Sequence, residues 1–274
     1  MKFFLTRIIK KAGTIVEKYF YSPASKLYLE YKSKNNPVTR ADKESEETIK
    51  NEILKKFPND KIICEESCSA IEKFCFEKGV RYWVIDPLDG TVNFSHKLPI
   101  FCISIAVVEN GEVSEGMVYN PVTKDLYYAK RGGGAYKNNK RVSVSKTCDL
   151  RNSLLVTGFP YYTYKNPKHI FALFNKFATA AQAVRRLGSA ALDLCMVAEG
   201  IFEGFWEENL QVWDVAAGSL IVKEAGGEVT DYYGRGDYLF NKTIIASNKK
   251  IHKQMLHIIE SIITKNPIFL KEGG

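Results

Sequence analysis

The sequence predicts a layered α/β fold, with an α+β N-terminal half over residues 1–145 and an α/β C-terminal half over 146–274. Three observations carry this expectation. Apolar residues recur at helical spacing near the start, short β-rich runs cluster between residues 61 and 136, and strands alternate with apolar helices further on. A chain of 274 residues with 45% hydrophobic content is large enough to bury a real core.

In chain order, Leu5, Ile8, Ile9, Ala12, Ile15, Val16 and Tyr19 share one face of a first helix over 2–20. Arg7, Lys10 and Lys11 interrupt what would be the apolar core of a signal peptide, and no small-residue cleavage site follows, so the segment reads as an amphipathic helix of a cytoplasmic protein. A second helix over 41–57 starts near Asp42, carries Ile49, Ile53, Leu54 and Phe57 as its stripe, and stops at Pro58-Asn59. Strands follow over 61–64, 82–85, 100–108 and 112–119, the last two joined by the hairpin signal Glu109-Asn110-Gly111. Runs at 126–129 and 135–136 extend an antiparallel sheet, with Gly132-Gly133-Gly134 as a tight turn lacking the Gly-Lys-Ser/Thr of a phosphate-binding loop. Beyond residue 145, strands over 153–158, 201–206, 228–230 and 243–246 alternate with helices over 190–199, 215–225 and 250–264. Gly200 and Gly226-Gly227 close the first two of those helices. Tyr161, Tyr162 and Tyr164 read as a loop or interface patch, and the tail after Lys265 reads as dispensable.

Composition excludes several classes. No run approaches the eighteen or so uncharged apolar residues of a membrane span. Cys64, Cys68 and Cys75 lack the paired spacing of a zinc site, and with Cys102, Cys148 and Cys195 they read as reduced, structural thiols. His96, His169, His252 and His257 form no ligand spacing. The 39 basic and 31 acidic residues leave a formal charge of +8, which favours an anionic partner (a phosphorylated metabolite, nucleic acid or an anionic membrane), while a soluble surface rich in Lys is the simpler reading. The basic residues are dispersed and no RNA-binding motif is present.

The densest chemical signal is Trp83-Val84-Ile85-Asp86-Pro87-Leu88-Asp89-Gly90-Thr91. Here an apolar strand ends in two carboxylates three residues apart. Converging carboxylates repel unless a cation lies between them, and hard oxygen donors suit Mg²⁺. Gly90 and Thr91 open the next helix, where free N–H groups and a partial positive charge make a seat for phosphate. Glu65-Glu66-Ser67 places another carboxylate at a strand end, and Trp213-Asp214 places one at a helix N-cap. Taken singly these are also an acidic turn and an ordinary cap. The combination is harder to explain that way.

These motifs resemble the inositol monophosphatase family. Asp86-Pro87-Leu88-Asp89-Gly90-Thr91 with Asn93-Phe94 is similar to its first signature, Trp213-Asp214-Val215-Ala216-Ala217-Gly218 to its second, and Glu65-Glu66-Ser67 to its third acidic site, over nearly all of residues 1–260. The resemblance implies an αβαβα sandwich and two to three Mg²⁺ ions, with Mn²⁺ as a substitute. Glu65, Asp86 and the carbonyl of Leu88 would hold the first ion; Asp86, Asp89 and Asp214 the second; Glu65 would touch a third, weaker one. Thr91 with Asp42 would orient and deprotonate the attacking water. Gly90 and Thr91 would bind phosphate, and Asp89, Gly188, Ser189, Glu207 and Asp214 the substrate. The implied activity is hydrolysis of inositol-1-phosphate or a related polyol or sugar phosphate by in-line attack of a metal-activated water. Fructose-1,6-bisphosphate and NADP are the alternative substrates. A homodimer and Li⁺ sensitivity are implied too. Some relatives of this style are implicated in RNA polymerase antitermination complexes, so an RNA polymerase or RNA association is the alternative of another class. Val92 departs from the family's more usual Thr.

Overall fold

Helix α1 (Lys2–Phe20) and helix α2 (Arg40–Lys56) form the first layer, separated by strands β1 (Glu30–Ser33) and β2 (Asn36–Val38). The structure is a computed structural model and describes residues 1–23, 30–33, 36–68, 76–160 and 168–263. The tyrosines at 161, 162 and 164, Cys75 and the C-terminal tail lie outside the described residues. Phe4, Leu5, Ile8, Ile9, Ala12 and Val16 of α1 are buried, as their spacing requires. Thr39 caps α2, accepting from the Ala41 N–H (3.2 Å) while its own N–H donates to Asp42 (2.8 Å).

Next come β3 (Lys61–Cys64), β4 (Arg81–Asp89), the short helix α3 (Thr91–Ser95), β5 (Cys102–Glu109), β6 (Glu112–Asn120), β7 (Asp125–Lys130), β8 (Gly134–Lys137) and β9 (Lys140–Arg141). These strands make a seven-stranded sheet in sequence order, parallel only between β3 and β4. Asn110 (φ 54°) and Gly111 (φ 82°) form the hairpin turn that the sequence predicts.

The second sheet is built from β10 (Leu154–Thr157), β11 (Ala183–Arg185), β12 (Gly204–Glu208), β13 (Glu228–Thr230) and β14 (Thr243–Ser247) in the order β11-β10-β12-β14-β13. Helices α4 (Lys168–Ala180), α5 (Ala190–Ala198), α6 (Val212–Glu224) and α7 (His252–Ile263) complete the described chain. Three apolar clusters fill the spaces between layers. One joins α1 and α2 to the first sheet through Ile8, Ile49, Trp83 and Ile105. The middle one packs α5 and α6 between both sheets through Leu194, Ile221, Val84 and Phe205. The third puts α4 and α7 on the outer face of the second sheet through Phe177, Trp206 and Met255. The layering is therefore αβαβα.

Three local expectations need correction. Strand β4 does not stop before the acidic motif but runs through Asp89. Asp214 is not the N-cap of α6; Gln211 is, and Asp214 sits in the first turn, accepting from the Gln211 N–H at 2.6 Å. Helix α4 and strand β11 were not anticipated at all.

Candidate active site

Asp86 pairs with Ser104 and Asp89 with Cys102, so three steps along β4 match two along β5. That extra residue is a β-bulge. In a regular strand, residues an odd number apart point to opposite faces. The bulge cancels the alternation and turns both carboxylates to one side. Gly90 follows at φ 95°, where a Cβ would lie 2.9 Å from the Ile100 carbonyl oxygen and 3.2 Å from that of Gly188. Only glycine fits the turn that leads into Thr91.

One cavity of about 360 Å³ gathers Glu65, Asp86, Leu88, Asp89, Gly90, Thr91, Gly188, Ser189, Glu207 and Asp214, residues that the motifs single out from far-apart stretches of chain. Asp42 does not line it. Its carboxylate lies behind, where Oδ1 accepts from the Thr91 hydroxyl at 3.1 Å and Oδ2 from the Thr39 hydroxyl at 2.5 Å. Thr91 Oγ1 also reaches the Leu88 carbonyl oxygen at 3.0 Å. Ser189 is the N-cap residue of α5, but its side chain makes no capping bond; its hydroxyl donates to Asp89 Oδ2 at 2.7 Å, beside the Ala191 N–H at 2.8 Å. Asn93 ties the two turns together, donating to the carbonyls of Leu187 (2.7 Å) and Ile100 (2.8 Å).

Helix α2 holds three of these segments with polar groups at positions 42, 45 and 46, which share one helix face. Asp42 grips Thr91, the Ser45 hydroxyl donates to the Pro87 carbonyl (3.0 Å), and Glu46 accepts from the Glu66 N–H (2.9 Å) and from the Ser67 hydroxyl. The sequence gives no local sign that Ser45 and Glu46 reach across to the metal motif. Glu46→Ala is expected to loosen the Glu65 turn and raise the Mg²⁺ concentration for half-maximal activity about tenfold, with kcat at saturating Mg²⁺ changed less; a Mg²⁺ titration of the rate checks this.

The electrostatics are those of crowded acids. Removal from water raises Asp86 and Asp214 well above the usual carboxylate range, and mutual repulsion with Glu65 and Asp89 raises them further. Burial also lifts Asp89 to about 6, opposed by its hydrogen bonds from Ser189 and Ala191. Asp42 rises to about 6 through burial, opposed by Thr39. Glu207 rises to about 8 through burial and the charge of Asp89, with Arg186 pulling the other way. Asp193, on α5 behind the cavity, is raised well above its usual value by burial, and neither of its carboxylate oxygens has a hydrogen-bond partner among the described residues.

Buried acids of this kind make the metal-free fold pH-sensitive. An acid whose folded pKa is raised keeps a proton that the unfolded chain has already released, so stability falls as pH climbs between the two values and levels off above the folded one. For Glu207 that window runs from 4.5 to about 8. His252, lowered by burial, has the opposite sign and is spent by pH 6.5. The melting temperature in EDTA is therefore expected to fall by on the order of 5 °C between pH 6.5 and 8, and by clearly less in Glu207→Gln; calorimetry at the two pH values decides.

As they stand, no group of three or more acidic, thiol or imidazole side chains among the described residues is drawn into a metal-holding arrangement. The carboxylates are turned to protein donors instead: Asp86 Oδ1 to the Leu88 N–H (3.0 Å), Asp89 to Ser189 and Asp214 to Gln211. The donor set nevertheless suits a hard divalent cation. It is all oxygen, it repels itself, and the second oxygens of Asp86 and Asp214 accept no hydrogen bond from the described residues. Glu65, Asp86, Asp89, Asp214 and the Leu88 carbonyl are the groups able to hold it.

Cys68, Gly158, Phe159, Arg186 and Glu208 also line the cavity, although the motifs do not mark them as site residues. Cys64, Cys68, Cys102, Cys148 and Cys195 are free thiols. Among the described residues no helix is long and apolar enough to cross a membrane.

A two-sheet sandwich of this layering, with acids gathered around a glycine–threonine turn, is suited to holding a cation beside a phosphate, and the family it falls in supports a phosphatase. The chain belongs to the inositol monophosphatase family, whose model matches residues 1–264. It is 41% identical over 258 residues to the Nus factor SuhB of Pasteurella multocida, covering 94% of this chain and 95% of that one. It is 36% identical over 250 residues to the inositol-1-monophosphatase of Mesorhizobium japonicum, covering 91% and 92%. Among solved structures, the extragenic suppressor protein suhB of Bartonella henselae superposes with a TM-score of 0.87 at 36% identity, covering 95% of this chain and 98% of that one.

Proposed function

We propose that this protein is a Mg²⁺-dependent phosphomonoesterase acting on inositol-1-phosphate or a closely related polyol or sugar phosphate, in a site formed by Asp42, Glu65, Asp86, Leu88, Asp89, Gly90, Thr91, Gly188, Ser189, Glu207 and Asp214. The supporting observation is that acids from Glu65, the 86–89 motif and Asp214 share one cavity with the Gly90-Thr91 turn. The inositol-1-monophosphatase relative supports the substrate class.

Two to three divalent ions, with Mn²⁺ able to replace Mg²⁺, would be held by Glu65, Asp86, Asp89, Asp214 and the Leu88 carbonyl. When bound, such ions offset the negative charge of the ester and make water easier to deprotonate. The remaining chemistry belongs to the chain. The N–H groups after Gly90 bind the phosphoryl oxygens. The Thr91 hydroxyl accepts the proton of the attacking water while handing its own to Asp42 Oδ1. An Asp42 carboxylate at about 6 is matched to that task near neutral pH, being ionised yet basic enough to accept a proton. Glu207 and Ser189 orient the leaving alcohol. Li⁺ inhibition, a homodimer and a cytoplasmic location are part of the same proposal.

The test is phosphate release from inositol-1-phosphate, fructose-1,6-bisphosphate, 2′-NADP and 3′-phosphoadenosine 5′-phosphate, with Mg²⁺ and with EDTA. Mg²⁺-dependent turnover preferring the inositol ester supports the reading, and hydrolysis of none of the four defeats it. A second reading, association with RNA polymerase or RNA, is supported by the name of the Pasteurella relative and by the +8 charge. Asp89→Asn separates the two: it removes hydrolysis and leaves such binding intact.

A further inference from the structure

We propose that Glu208, held by His169, is a second acceptor for ring hydroxyls beside Glu207 and selects esters of cyclic polyols over esters whose alcohol carries no hydroxyls. This inference rests on the phosphatase reading above and adds a residue that the family motifs do not mark.

Neighbouring residues of a strand point to opposite faces, so Glu207 and Glu208 of β12 would not ordinarily share a cavity. The strand ends at Glu208, and Asn209 follows in the left-handed region (φ 62°), with its N–H donating to the Lys242 carbonyl. Asn tolerates that backbone, and the chain turns there. Both glutamates consequently line the cavity, each less than a tenth exposed.

A carboxylate removed from water is costly unless its oxygens are satisfied. Glu208 Oε1 is met by His169 Nε2 of α4 at 2.6 Å. Its other oxygen takes no hydrogen bond from the described residues, and Glu208 lines the cavity. Glu207 is accommodated by a deliberate gap: a Cβ on Gly158 would fall 2.1 Å from both Glu207 oxygens, so any larger residue there would push the carboxylate aside. The charged groups around these glutamates are Arg186, which lines the cavity with its guanidinium 5.5 Å from the Phe159 ring, the buried Asp193 behind it, and His169. Glu207 and Glu208 offer carboxyl oxygens to the same cavity, the second anchored from the outer helix layer by His169. Two such groups on consecutive residues are suited to adjacent hydroxyls of one ring.

The experiment compares wild-type, Glu208→Gln and His169→Leu proteins on inositol-1-phosphate and on p-nitrophenyl phosphate, whose ring carries no hydroxyl, with thermal melts of each. Gln keeps the shape and can still accept from His169, while weakening acceptance from substrate. The expected result is a KM for inositol-1-phosphate raised about tenfold in Glu208→Gln and less in His169→Leu, with kcat, the KM for the aryl ester and the Mg²⁺ requirement within about twofold of wild type. An unchanged KM for the inositol ester, or equal rises for both esters together with a lowered melting temperature, overturns the inference and leaves the phosphatase reading standing. Turnover of the aryl ester without turnover of inositol-1-phosphate by wild type also overturns it. Turnover of neither by wild type in Mg²⁺ removes the phosphatase reading itself.

Discussion

Asp89→Asn is expected to lower Mg²⁺-supported phosphate release at least about 10³-fold while raising the melting temperature of the metal-free protein by a few degrees. Both effects come from one carboxylate. The charge of Asp89 helps to push Asp86 and Asp214 up, and the Glu65 charge pushes on all three, so the metal-free fold carries unrelieved repulsion. Asn keeps an oxygen for the Ser189 hydroxyl and the Ala191 N–H, which donate at 2.7 and 2.8 Å, and so preserves the start of α5. What it removes is the charge that a cation needs. Calorimetry in EDTA and in saturating Mg²⁺ reads both sides. Wild type should gain stability from Mg²⁺, and the variant should begin higher and gain little. A variant that melts lower without metal would show that Asp89 is a structural anchor first.

The second large effect is expected at Asp42. Asp42→Asn should reduce kcat by about 10²–10⁴-fold, the range for loss of a positioned general base, while leaving the Mg²⁺ half-saturation within about twofold. The distinction is geometric. Asp42 lies behind Thr91 and does not line the cavity, so it acts on the proton of the Thr91 hydroxyl and not on the ions. Asn can still accept from the Thr39 N–H, so α2 should keep its cap. Thr91→Ser should retain most of the rate, since the hydroxyl remains, and Thr91→Ala should resemble Asp42→Asn. A parallel rise in the Mg²⁺ requirement would place Asp42 among the ion-binding groups instead.

Much of this was legible in the sequence because the signals are local. The stripe of α1, the Asn110-Gly111 turn and the Gly200 and Gly226 stops each follow from a few adjacent residues. So does the pairing of acids with a glycine–threonine turn at 86–91. What escaped depends on partners far along the chain. The bulge that turns Asp86 and Asp89 to one side is a property of the β4–β5 register. Asp214 reads as an N-cap because Asp is a common one; Gln211 takes that role, which its residue type does not advertise. Helix α4 buries Ile170, Leu173 and Phe177, but exposed Phe171 and half-buried Phe174 blur the stripe. The α2 clamp through Ser45 and Glu46, the gap at Gly158 and the His169–Glu208 pair join segments between 20 and 49 positions apart, and no local pattern encodes them.

The measurement that bears most directly on the central claim is the rate of phosphate release from inositol-1-phosphate as Mg²⁺ is titrated into EDTA-treated wild-type protein. The account predicts no turnover without the ion, a saturable rise with Mg²⁺, and restoration by Mn²⁺. Turnover that persists undiminished in excess EDTA would contradict it, because the clustered carboxylates would then have no cation to hold.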